Sequence, residues 1–95
     1  MHKKIGFYFV DYESDNYIDV GKLKEEAREV FDAFIHCDRE NFKEELADVL
    51  QITLNIIYKN DISLEELAMI NEYKQKQRGK KIGKLILKVD DKYKE

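Results

Sequence analysis

The chain has 95 residues, a formal net charge of −3, 39% charged residues and no proline. A chain of this size suits one small domain, whose limited interior favours association with further copies. The charge leaves no basic footprint for nucleic acid, and no apolar run is long enough for a membrane span. The single cysteine, Cys37, suits a reducing cytoplasm.

Residues 1–18 open with "IGFYFV" (Ile5 to Val10), which has strand propensity, followed by the turn-like "DYESDNY". The opening lacks the cleavage pattern of a secretory signal. The acids of the turn are spaced roughly as in a calcium loop. Asn16 and Lys22, however, stand where that loop needs Gly and Glu.

A first helix is expected from about Asp19 to Ile35, with Leu23, Ala27, Val30, Phe31 and Phe34 on one apolar face. Asp38 is the expected N-cap of a second helix reaching about Tyr58. Its apolar residues, Phe42, Leu46, Val49, Leu50, Ile52, Leu54, Ile56 and Ile57, cover most of its circumference. It should therefore be central and largely buried. Ser63 and Glu66 form a capping box for a third helix, and Gly79 is its stop. The tail, residues 80–95, sets apolar residues between lysines. The expected fold is all-α, one domain over residues 1–95 with its core at 19–79. Short strands at the termini, paired with each other, are the one departure the pattern allows.

The carboxylates form the most informative constellation. A glutamate-rich turn is ordinarily a solvated face, and Glu25 fits that description, since Lys22 and Arg28 lie three residues to either side. Glu29 does not fit it. Its neighbours at helical spacing are Glu25, Glu26, Asp32 and Ala33. Glu45 falls between Val49 and Ile52 inside an apolar sector. A carboxylate there must be paired, protonated or bound to a cation. Two antiparallel helices joined by a short turn can bring Glu26 and Glu29 opposite Glu45 and Asp48. Mutual repulsion then favours protonation unless a cation neutralises the group. Oxygen donors select magnesium, manganese or calcium over softer metals.

Asn71, Lys74 and Arg78 recur at i, i+3 and i+7 on one face of the third helix. Beside such a cradle they suit a polyphosphate. The plainer reading, cations complementing a helix end, is preferred for Lys76, Lys80 and Lys81. His36 and Cys37 lack any zinc spacing. Tyr8, Tyr12 and Tyr17 are expected to pack over a core or a subunit contact before stacking on a base.

"EEAREV" (Glu25 to Val30), "EELADVL" (Glu44 to Leu50) and "NEYKQKQRG" (Asn71 to Gly79), in that order, resemble the MazG-like all-alpha nucleoside triphosphate pyrophosphatases. The resemblance implies a helical bundle completed as a dimer or tetramer. It also implies a magnesium-dependent enzyme, with manganese as a substitute, that cleaves a nucleoside triphosphate between the alpha and beta phosphates. By this likeness Glu26, Glu29, Glu45 and Asp48 would ligate metal, and Glu25 would be an accessory acid. Lys74 and Arg78 would hold phosphates, and Asn71 would help place the nucleotide or the metal. Residues 1–18 do not resemble the family's opening helix. Phosphoribosyl-ATP pyrophosphatase shares the carboxylate pattern and is the nearest alternative enzyme. A non-catalytic helical oligomerisation or regulatory module with a structural ion site is the alternative outside enzymes.

Overall fold

The structure is a computed structural model, and it describes residues 6–8, 15–79 and 82–86. Among these are three helices and no strand: α1 (Asn16–Ile35), α2 (Arg39–Lys59) and α3 (Leu64–Arg78). The all-α expectation holds. Residues 6–8 and 82–86 are irregular. The remaining parts of the two segments considered for terminal strands, residues 5, 9, 10 and 87–89, lie outside the described residues. The chain divides into a unit of residues 8–61, which contains the α1–α2 hairpin, and a second unit that holds α3.

α1 starts three residues before the expected Asp19. The Asp15 side chain accepts a hydrogen bond from the Ile18 N–H at 2.8 Å, satisfying one of the open donors of the first turn. The acid-rich turn thus supplies a cap, and Asp19 becomes an interior residue of the helix. The cap of α2 is Asp38, as expected, accepting from the Asn41 N–H at 3.1 Å. Ser63 caps α3, its hydroxyl accepting from the Glu65 and Glu66 N–H groups. Gly79 closes α3 at φ +65°, where a glycine meets no Cβ penalty.

The turn between α1 and α2 is short and tightly bonded. The Cys37 N–H donates to the Phe34 carbonyl and the Asp38 N–H to the Ala33 carbonyl, both at 3.1 Å. These two bonds define a Schellman end, whose left-handed position is ordinarily a glycine. Here Cys37 occupies it at φ +54°. An L-residue costs about 1–2 kcal/mol in this region, and glycine's extra chain entropy returns roughly 0.5–1 kcal/mol of that. Cys37→Gly should therefore raise the unfolding free energy by about 0.5–1 kcal/mol. The denaturant midpoint, with an unchanged slope, is the measurement.

The tight turn lays α2 antiparallel on α1. Residues 19, 23, 26, 30 and 33 of α1 recur at helical spacing and form its inward stripe. Ala33 and Ile52 are the buried apolar residues of the hairpin. α2 is not largely buried, contrary to the sequence expectation. Leu50 remains 50% exposed, and Leu46 is also exposed. One neighbouring helix covers only one stripe of a helix that is apolar over most of its circumference. On α1, Phe31 (62% exposed) and Phe34 (67%) lie beside the inward stripe. Phe34 stacks obliquely on Phe42 of α2 with ring centroids 5.9 Å apart. That contact puts the uncovered apolar residues of both helices on the same flank of the hairpin. Tyr8 and Tyr17 are exposed rather than packed over a core, and Tyr12 lies outside the described residues.

A candidate metal centre across the hairpin

The inward stripe of α1 is not uniformly apolar, and its central member is Glu26. From α2, Glu45 enters the same seam, one turn from Val49 and two from Ile52. Both glutamates are half-buried, while Glu29 borders the seam and is exposed. One carboxylate oxygen each from Glu26, Glu29 and Glu45 lies within 4.8 Å of the other two. Residues 26 and 29 come together because three positions span almost one helical turn. Glu45 meets them because the hairpin is antiparallel.

The electrostatics follow from that crowding. Glu45 faces the Glu29 carboxyl, and that contact is the first cause of its shift. Withdrawal from water and the Glu26 carboxyl act in the same direction. Together they push its pKa from 4.5 up to about 7. Glu26 is also pushed above the ordinary range, first by burial and then by the charges of Glu29 and Asp48, while its hydrogen bond with Glu45 opposes the rise. The Oε2 atoms of Glu26 and Glu45 are buried and have no hydrogen-bond partner. Buried acceptors in native proteins nearly always find a donor or a cation. An all-oxygen donor set with two unsatisfied buried oxygens fits a hard divalent cation.

The other expected site residues fall in three places. Asp48 is exposed and stands outside the trio, near enough for its charge to act on Glu26. Glu25 is exposed on the outer side of α1, where it lines an open groove with Arg28, Glu29 and Asp32. Among the described residues it forms no ion pair with Lys22 or Arg28; the ion pairs there are Lys43–Glu40, Lys59–Asp19 and Lys76–Glu72. Asn71, Lys74 and Arg78 are exposed along one face of α3, in the other unit.

Sequence reasoning passed over one polar group of the hairpin. Asp19 is only 1% exposed, and its carboxylate accepts from the Lys59 ammonium at 2.9 Å. Its signal was its register: Asp19 lies seven residues before Glu26, on the same inward stripe. Nearby, Asn55 is buried and accepts from the Gln51 amide at 3.0 Å.

The hairpin thus gathers carboxylates from both of its helices across its own seam. The chain belongs to the MazG nucleotide pyrophosphohydrolase domain family, whose family model matches residues 20–83. No curated protein and no solved structure matches the chain. The matched range takes in the carboxylate trio, Asp48 and the basic face of α3. No helix among the described residues is long and apolar enough to cross a membrane.

Proposed function

We propose that this chain is a magnesium-dependent nucleoside triphosphate pyrophosphohydrolase that releases a nucleoside monophosphate and pyrophosphate. The observation that carries the reading is the trio Glu26, Glu29 and Glu45, with its two orphaned buried oxygens. Family membership supplies the reaction class. Glu26, Glu29 and Glu45, with Asp48 beside them, would hold the cation, and manganese would substitute for magnesium. The bound cation would screen phosphate charge and acidify a coordinated water. Glu25, on the neighbouring groove, would accept or orient that water's proton. Lys74 and Arg78 would engage the phosphates through charge-assisted hydrogen bonds, and Asn71 would place the nucleotide. Water would attack in line with the departing pyrophosphate, and the bond between the alpha and beta phosphates would break. The exposed Cys37 thiol fits a reducing compartment, and the cytoplasm is the proposed location.

The testing experiment is pyrophosphate release from a panel of common and modified nucleoside triphosphates, with and without magnesium. Magnesium-dependent release from any of them supports the reading. Metal binding without turnover on the whole panel would favour a non-catalytic module. Turnover confined to phosphoribosyl-ATP would favour the related enzyme.

The uncovered flank of Phe31, Phe34, Leu46 and Leu50 supports assembly with a second copy. The wild-type chain should sediment as a dimer or tetramer. Phe31→Ser combined with Leu50→Ser should shift it towards monomer at the same concentration. A wild-type monomer at micromolar concentration would overturn the assembly.

A further inference from the structure

The carboxylate trio bridges two helices whose ends are held differently, and Glu45 places it nearer the turn than the open end. At one end the Schellman turn of residues 36–38 ties α1 to α2 covalently. At the other end no peptide joins the first turn of α1 to the last turn of α2. Side-chain pairs hold this open end. Asp19 accepts from Lys59 at 2.9 Å, with side-chain exposures of 1% and 12%. One turn nearer the end, Asn16 and Asn60 exchange amide hydrogen bonds in both directions, at 2.9 and 3.1 Å.

We infer that the Asp19–Lys59 pair, together with the Asn16–Asn60 pair, is a positioning clamp that stops the hairpin from splaying and so keeps Glu26, Glu29 and Glu45 within cation-binding reach. Three crowded carboxylates push the helices apart where they meet. The apolar contact opposing them is limited, with Ala33 and Ile52 as the buried apolar residues of the seam. Apolar packing also tolerates small slides and tilts that a directional pair does not. A buried ion pair contributes less to stability than a well-packed apolar pair, and its best-attested use is to fix one geometry. The placement of these charges suits that use. Asp19 lies in the first turn of α1 and Lys59 in the last turn of α2, so each complements its own helix dipole before it meets the other. The reciprocal amide pair carries no net charge, and its two donors and two acceptors match in one alignment.

The clamp's bearing on the cation rests on the proposed metal reading, but its bearing on the hairpin geometry does not. Spin labels at Gly21→Cys and Ala47→Cys, in a Cys37→Ser background diluted with unlabelled chain, report the separation of α1 from α2 by pulsed electron resonance. Gly21 and Ala47 are both exposed, and nothing lies within 4 Å of a Cβ built at Gly21. The background chain should give one narrow distance distribution. Asp19→Leu with Lys59→Met should keep its helicity, since apolar replacement of a buried pair is often tolerated. Its distribution should nonetheless broaden to longer distances. Calorimetric magnesium affinity of the same substitutions in the unlabelled chain should fall about tenfold, the usual lower effect of losing a residue that orients ligands. Asn16→Ala with Asn60→Ala removes the exposed amide pair, and with it the Asn60 bond to the Ile56 carbonyl at 2.7 Å, and should broaden the distribution less; it decides alone if the first variant does not fold. A distribution as narrow as the background's in every folded variant overturns the clamp. Absence of magnesium binding by the wild-type chain overturns the metal reading instead, and the distances still judge the clamp.

Discussion

Glu45→Gln should abolish magnesium-dependent turnover while leaving a metal-free protein that is at least as stable as wild type at neutral pH. The reason is the sign of the Glu45 shift. Its pKa rises from 4.5 in an ordinary environment to about 7 in the folded hairpin. Between those values the native state holds more protons than the unfolded chain. Stability contributed by the protonated carboxyl is therefore present below pH 4.5 and is lost as pH rises through about 7. Thermal melts in chelator should show wild type weakening from pH 5 to pH 8, and Glu45→Gln should flatten that part of the dependence. Magnesium reverses the preference, because ligation needs the ionised carboxylate. Calorimetry in buffers of different ionisation enthalpy should detect proton release on magnesium binding at pH 6 and little at pH 8. Full turnover by Glu45→Gln, or identical melting profiles for the two proteins, would remove Glu45 from the site. Asp48→Asn tests the flank of the cluster: it should also eliminate turnover if Asp48 completes the ligand set. Glu25→Gln should cost less than Glu26→Gln, since Glu25 faces the outer groove rather than the seam.

Arg78→Ala should lower kcat/KM about ten- to a hundredfold, the rate equivalent of one charge-assisted phosphate contact at roughly 1.5–3 kcal/mol. Calorimetric magnesium affinity without nucleotide should stay near wild type, because the loss falls on the substrate and not on the cradle. Lys74→Ala should behave alike. Lys76→Ala is the internal control: its ammonium lies 3.7 Å from Glu72 on another face of α3, and its loss should leave kinetics unchanged. Equal silence of Arg78→Ala and Lys76→Ala would reduce the basic stretch to an ordinary helix end.

Much of the architecture was legible because it rests on local chemistry. Asp38, Ser63 and Gly79 each mark a helix terminus by a hydrogen bond or a backbone conformation that only a few residue types supply. Glu45 was legible as an anomaly, a charge inside an apolar sector. The start of α1 was misread because Asp15 sits in a stretch whose composition also suits a turn, and caps and turns use the same residues. Asp19 was harder. A lone acid near a helix start looks like a dipole complement, and its burial depends on Lys59, forty residues away. Exposure of α2 could not be read from its own pattern, since an apolar circumference says how much cover a helix needs and not what supplies it.

The Phe34–Phe42 contact marks one flank of the hairpin, while Glu29 borders the seam on the other. Free-energy effects of distant, independent changes sum, whereas effects of touching residues do not. A change at Tyr17 in the first turn of α1 and a change at Glu29, about 18 Å further along the same helix, should therefore combine additively. Changes at Glu26 and Glu45, which share the seam, should not.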